Sequence, residues 1–283
     1  MYKRQTLNIN PDEEIIKNMN ESKKQEEEVR NNFTLPLYEE QDFEFLINVG
    51  SGEEIESFNH PFLNSIGLFR SEFIYLDRSS IPTIDEQREI LEKIQDKFSG
   101  TVTYRTLDIG GDKQVDYLSL PTEENPFLGV RGIRLSLKNE ELYRSQIESI
   151  LTSKDANRVK IMFPMISTIE DFIKSKNIIE DTAKSLNKKI PEVGIMIETP
   201  SSTILIEDFA QYVDFFSVGT NDLTQYIMAA DRGNPNLMEY HDSLHPAILR
   251  VLENVFSVSN KYKKDVSVCG EMASDTISAT VLY

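Results

Sequence analysis

From about Asp42 onward the chain repeats one pattern: a short apolar run rich in β-branched and aromatic residues, then a longer stretch with apolar positions three and four apart. The runs are 43–49, 66–73, 102–107, 159–165, 193–198, 215–220 and 266–269. Between them, 85–98 places Ile90, Leu91, Ile94 and Phe98 at helical spacing, and 168–186, 201–209 and 246–262 behave alike. Strands alternating with helices predict a parallel sheet with right-handed crossovers. Near-continuous apolar strands predict burial on both faces. The count reaches seven strand–helix units. A (β/α)8 barrel needs eight, and the last helical stretch, 275–283, runs to the final residue. The predicted fold is therefore α/β: either a TIM-barrel type with the eighth strand–helix unit missing, or an open sheet.

Residues 1–41 read differently. Apolar residues are sparse, and charge concentrates in the run Lys23 to Glu28. A charged linker helix is expected from about Pro11 to Asn31: Pro11 suits a first helical position, and Asp12, Glu13 and Glu14 sit at the favourable end of the dipole. The expected organisation is a linker segment over 1–41 and a barrel over 42–283.

Composition narrows the function. The 283 residues carry 30 Lys+Arg against 47 Asp+Glu, a formal charge of -17. That balance argues against a nucleic-acid partner. It does not exclude a small anion held by a few local arginines, since net charge and site charge are separate quantities. Mean hydropathy is -0.37, and no apolar run approaches the ~20 residues of a membrane span. The start lacks a signal-peptide pattern, which predicts a cytoplasmic protein without membrane insertion. A single cysteine excludes an intramolecular disulfide and a thiolate zinc cluster.

Residues with chemistry cluster where strands are expected to end, and in a parallel barrel those ends share one mouth. Glu198 and Asp222 form a candidate pair for Mg2+, which usually takes one or two protein carboxylates plus substrate oxygens. Asp222 could equally cap a helix over 223–228, whereas a carboxylate at a buried strand end, as at Glu198, needs a partner. Arg70, Arg105, Arg131 and Arg232 read either as solvated surface residues or as a clamp for phosphate and carboxylate, whose geometry the guanidinium fork matches. Lys113, after Gly110-Gly111, adds positive charge. Cys269 reads as a small buried hydrophobe or as an acid/base at a strand end. His60, His241 and His245 show no metal-ligand spacing and read as structural.

Six stretches in order carry a resemblance: Gly67–Phe73, Arg105–Lys113, Glu124–Arg134, Ile161–Met165, Gly219–Tyr226 and Cys269–Ala273. Together they resemble the Enzyme I family, the phosphoenolpyruvate-protein phosphotransferases of the bacterial sugar phosphotransferase system, from about Leu7 to the last residue. Phosphoenolpyruvate synthase and pyruvate phosphate dikinase share the Gly-Thr-Asn-Asp element, and a fragment of either is the alternative. A phosphoenolpyruvate sensor without turnover is another. The resemblance implies a phosphoenolpyruvate-binding barrel using Mg2+. By it, Glu198 and Asp222 ligate the metal, and Arg70, Arg105, Asn221 and Arg232 hold the phosphate. Arg131 and Lys113 help hold the substrate, and Cys269 protonates the enolate to pyruvate. It also implies a homodimer and a phosphocarrier protein as partner. The family's acceptor histidine lies in a separate swivelling domain, in a Gly-Gly-x-Thr-Ser-His-type motif that does not occur in this chain. Leu7–Pro11 resembles the end of that domain, so a chain truncated at both ends relative to the family is expected. Tyr240–Leu244 departs from the family pattern, and Ser274 stands where glycine is usual. Tyr2–Gln5 is what a common transposase sequencing adaptor would encode in one frame, an expectation that the source DNA across that junction tests.

Overall fold

β1 (Ile47–Val49), β2 (Ile66–Arg70), β3 (Val102–Arg105), β4 (Val159–Phe163), β5 (Val193–Ile197), β6 (Phe215–Val218) and β7 (Asp265–Val268) form one sheet in the computed structural model of the chain. Every neighbouring pair is parallel, and the spatial order follows the chain order. The described residues are 16–17, 24, 43–58, 63–76, 78–110, 115, 117–118 and 123–282. The chain divides into two compact units, Met1–Phe45 and Leu46–Tyr283. In the first, Ile16, Lys17 and Lys24 are helical, and the rest of the expected 11–31 helix lies outside the described residues. Phe43 meets Phe45 edge to face, with ring centroids 5.1 Å apart.

In the second unit, sequential parallel strands require a crossover of one hand after each strand, which winds the sheet toward a barrel. The curl brings its two ends close: Asn48 Nδ2 in β1 donates to the carbonyl of Cys269, just past β7, at 2.9 Å. The result is a TIM-barrel-like wall lacking one strand–helix unit, one of the two readings that the alternation leaves open. The crossovers carry α1 (Gly52–Ser57), α2 (Ile84–Lys97), α3 (Ile133–Lys138), α4 (Glu140–Leu151), α5 (Ile169–Ser185), α6 (Pro200–Ile204), α7 (Ile206–Phe209), α8 (Thr220–Ile227) and α9 (Pro246–Tyr262), and α10 (Thr276–Leu282) follows β7.

Local chemistry explains the starts. Thr83 caps α2 in a reciprocal box with Glu86, Thr168 caps α5, and Thr199 caps α6 with Pro200 at its first turn; each side chain satisfies an orphan N–H of its helix. His245 caps α9 through Nδ1, which accepts from the Ala247 N–H at 3.2 Å, the structural role expected of it.

Two layers of apolar contact hold the wall. Strand residues pointing outward join the helices in the main core, which includes Ile47, Phe69, Tyr104, Ile161, Ile195 and Val218. A smaller cluster of Leu68, Met162, Met196 and Phe215 fills the barrel interior, with Cys269 packed against it.

The structure corrects several expected elements. Most strands end earlier than their apolar runs: 71–74 is a 3-10 turn, and β3 stops at Arg105. Loops and turns at strand ends can stay apolar when the fold buries them, so apolarity overruns the strand. No helix was expected between β3 and β4, yet α3 and α4 fill that crossover. α4 buries Leu142, Tyr143, Ile147, Ile150 and Leu151. The stretch 201–209 divides into α6 and α7.

Candidate functional site

The strand ends deliver a network of buried charge to one mouth. Arg105, last in β3, is 6% exposed, and Arg131, before α3, is 1% exposed, so neither is the solvated surface residue that a lone arginine suggests. Arg105 pairs with Glu72 at 2.6 Å and Asp108 at 3.2 Å. Arg131 pairs with Asp108 at 3.2 Å and with Asp222 at 3.3 Å. Arg232 reaches the same Asp222 at 3.4 Å. Burial works against both buried guanidinium charges. Glu72 and Asp108 around Arg105, and Asp108 and Asp222 around Arg131, more than offset it, and both pKa values rise above the ordinary arginine value. Buried charge survives only when paired in this way.

Asp222 is not a helix cap. α8 starts at Thr220 with Gly219 at the N-cap position and no side-chain cap, which leaves Asp222 free to face the arginines. Asn221 Oδ1 accepts from the Glu271 N–H at 3.0 Å, tying the α8 start to the segment after Cys269. Arg70 is placed apart from the network: its guanidinium lies on Glu54 of α1 at 3.1 Å and over the Phe73 ring at 4.8 Å. Lys113 lies outside the described residues.

Glu198 follows β5 and is 1% exposed. Its Oε1 accepts from the Met165 N–H at 2.6 Å. Met165 holds φ 58, a left-handed conformation that costs a non-glycine residue energy, and that geometry aims its N–H at the carboxylate. Burial first, then the charges of Asp222 and Asp108, push the Glu198 carboxyl up to about 8, against the opposing pull of Arg105 and Arg131. A side chain at Gly219 would begin 3.0 Å from Glu198 Oε2, so glycine there keeps that oxygen's flank open. Oxygen donors whose mutual repulsion raises a pKa suit a hard divalent cation, and the donor set fits Mg2+. Among the described residues no three or more His, Cys, Asp or Glu side chains form a metal-holding group.

Cys269 is half-buried. Its Sγ donates to the Val218 carbonyl at 3.4 Å. Burial pushes the thiol up to about 11, opposed by a hydrogen bond from Ser217 and by the charge of Arg105. It is neither a plain buried hydrophobe nor a ready thiolate but a neutral thiol among charges.

Four contributors were not singled out from sequence. Asp108 joins Arg105 to Arg131, and Glu72 anchors Arg105. Tyr226 Oη accepts from Arg131 Nη1 at 3.2 Å. The Phe127 ring lies under both Arg131 at 5.9 Å and Arg232 at 5.7 Å. Asp108 and Glu72 stand within two or three residues of a strand-end arginine, a local signal that was readable. Phe127 and Tyr226 are brought in only by the fold. Gly132 shows how tightly the network is set: its φ is 55, and a Cβ there would press on Met165 Cγ at 2.9 Å and Asp108 Oδ1 at 3.2 Å.

The family described as PEP-utilising enzyme, PEP-binding domain, matches residues 23–283. The phosphoenolpyruvate-protein phosphotransferase of Bacillus subtilis (strain 168) is 42% identical over 246 residues, 84% of this chain and 43% of that protein. The protein of the same name from Mycoplasma capricolum is 40% identical over 241 residues, 83% of this chain and 42% of its own length. The chain thus spans less than half the length of these relatives. Among solved structures, an HpcH/HpaI aldolase/citrate lyase family protein from Burkholderia cenocepacia aligns with TM-score 0.50 at 14% identity, covering 83% of this chain and 80% of that one, which supports the barrel fold. Because the domain match spans most of the chain, residues 23–283, the chain belongs to the family of PEP-utilising enzymes and carries their PEP-binding domain.

Proposed function

We propose that the chain is the substrate-binding barrel of a phosphoenolpyruvate-protein phosphotransferase, which moves the phosphoryl group of phosphoenolpyruvate to a histidine nitrogen outside residues 1–283 and from there to a phosphocarrier protein. The observation that carries this reading is the convergence of Arg105, Arg131, Arg232, Asp222 and Glu198 on one mouth. The names of the relatives favour it over a synthase or dikinase fragment.

Phosphoryl transfer asks for positioning and charge neutralisation more than covalent help. Arg105 and Arg232, with Arg70 and Asn221, hold the phosphate; Arg131 and Lys113 hold the remainder of the substrate. Glu198 and Asp222 would hold Mg2+, which supplies a counter-charge to the phosphate and the enolate oxygen. Arg232 stands beside Asp222 at 3.4 Å, so a metal held there and phosphoenolpyruvate would share one charge network and should bind better together than apart. As the phosphorus–oxygen bond breaks, the enolate of pyruvate is left behind. Cys269 then gives its thiol proton to C3 of the enolate, yielding pyruvate, and the thiolate regains a proton from solvent. A neutral thiol suits that role because it has a proton to give. Burial accounts for its pKa of about 11.

Among the described residues no helix is long and apolar enough to cross a membrane; the proposed activity belongs in the cytoplasm, in a homodimer. A thermal melt with and without phosphoenolpyruvate and Mg2+ tests the site. Ligand at ~100 times its dissociation constant adds about 2.7 kcal/mol, several degrees for a domain of this size. The rise should need both components and vanish in Glu198→Ala. A cooperative melt indifferent to both would overturn the reading. A sensor without turnover would show the same rise but release no pyruvate when a separate histidine domain is added.

A further inference from the structure

Behind the thiol lies a pair of hydroxyls that the proposed reaction does not yet use. Ser217 in β6 and Ser267 in β7 are direct register partners in the parallel ladder. The Ser267 hydroxyl donates to Ser217 Oγ at 3.0 Å. Ser217 is completely buried, at 0% exposure. Strand alternation puts it on the same face of the β6–β7 ladder as Ser267 and Cys269, where its hydroxyl favours the charged form of the thiol. The sulfur is fixed from its own side as well. The Cys269 N–H extends the ladder to the Val218 carbonyl at 3.0 Å, and the Cys269 carbonyl is held by Asn48. A buried hydroxyl whose oxygen already receives a proton must send its own hydrogen elsewhere, since an unmade buried donor costs roughly 1–3 kcal/mol.

We propose that Ser217 is a positioning residue for Cys269: the Ser267 hydroxyl occupies the Ser217 oxygen, and the Ser217 hydrogen is thereby committed to Cys269 Sγ. The inference rests on Cys269 acting as the acid in the proposed reaction. When the S–H bond breaks and the new C–H bond forms at C3 of the enolate, the sulfur is left with a negative charge. The Ser217 hydroxyl donates to that thiolate without giving up its proton, and solvent reprotonates the sulfur. The charged groups that face the sulfur are Arg105 from the end of β3, which favours the thiolate, and Glu198 from the end of β5, which opposes it.

Cys269 is the single cysteine of the 283 residues, so alkylation of this 283-residue chain by iodoacetamide reports on this sulfur alone. Losing a hydrogen bond to a charged group should weaken the thiol by about one to two pH units. The smaller thiolate fraction is partly offset by the greater nucleophilicity of a more basic sulfur. Ser217→Ala should therefore alkylate about three- to tenfold more slowly than the unaltered chain at matched pH. Ser217→Thr, which keeps the donor, should recover most of the rate. Ser267→Ala, at a half-buried position, should slow the reaction in the same direction by less. A Ser217→Ala rate equal to or above that of the unaltered chain, with an unchanged melt, would overturn the proposal. If Ser217→Ala does not fold, an unslowed Ser267→Ala overturns it instead. The ligand-dependent melt is read separately. A lost response to phosphoenolpyruvate with intact serine effects rejects the functional reading alone, and the reverse result rejects the hydroxyl pair alone.

Discussion

β5 and β7 are both short parallel strands, and each delivers one reactive group to the same mouth, Glu198 from one and Cys269 from the other. All residues of β5 are buried, whereas β7 is exposed at Asp265 and half-buried thereafter. The cause is position in the sheet. β5 is hydrogen-bonded on both edges, and among the described residues β7 pairs only with β6. On the β5 side, the Glu198 carboxyl is set by burial, by the Met165 N–H and by the surrounding charges of Asp222, Asp108, Arg105 and Arg131. On the β7 side, the thiol depends on a few individual hydrogen bonds across a seam, among them Asn48 to Cys269. One arc of the wall supplies a fixed electrostatic frame, and the other supplies a group whose setting can be altered by single side chains.

The comparison breaks most visibly at Arg131. Arg131→Ala removes the counter-charge that Asp108 and Asp222 share, while Arg105 still faces Asp108 and Arg232 still faces Asp222. Removing one partner of a buried pair costs about 3–5 kcal/mol, and the remaining pairs put the expected loss at the lower end of that range. Urea unfolding should show a loss of that size; a loss below about 1 kcal/mol would mean that the network is far wetter than its burial implies.

Glu198 gives the next largest effect, and a pH-dependent one. Its carboxyl stands at about 8 in the folded chain against an ordinary value of 4.5. The folded state therefore holds the proton more tightly than the unfolded state. Stability should fall as pH climbs from about 4.5 to about 8, with the full penalty present above that and absent below the lower value. Glu198→Gln cannot ionise. In EDTA its melting temperature should match that of the unaltered chain at low pH and exceed it increasingly toward pH 8. Parallel curves would show that Glu198 is not held protonated.

Across the seam, Asn48→Ala removes one side-chain hydrogen bond worth about 0.5–1.5 kcal/mol. Its signature should be local: faster amide exchange at Cys269, with little change at β5. Equal acceleration in both strands would erase the distinction between the two arcs. Smallest of all is Arg70→Ala. Its partner Glu54 is half exposed, so the change in stability should stay within about 1 kcal/mol, while phosphoenolpyruvate binding should weaken; unchanged binding would remove Arg70 from the proposed phosphate clamp.

Much of this was legible from residue patterns. The alternation of β-rich runs and helical spacings predicts seven units, and seven parallel strands in chain order are present. Capping threonines mark real helix starts at Thr83 and Thr168. Helix α4 escaped although Asn139 at its N-cap position and Glu140 and Glu141 in its first turn are readable start signals; the Asn139 side chain makes no capping hydrogen bond, and α3 ends directly before it. Asp222 was ambiguous because Thr220, Asn221 and Asp222 are all good caps; only the helix start at Thr220 removes that role from Asp222.

The sequence by itself determined the periodicity, the parallel class of the sheet and the placement of arginines, carboxylates and the thiol at strand ends. These follow from local rules, a period of two or 3.6 residues and the preferences of end positions. Only the tertiary structure decided which charges meet. Arg131 and Asp222 are 91 positions apart and lie 3.3 Å from each other; Asn48 and Cys269 are 221 apart and share a hydrogen bond. Pairings of that range depend on the curl of the sheet and on burial, which strengthens electrostatic contacts and shifts pKa values, and neither quantity is written in any local window of the chain.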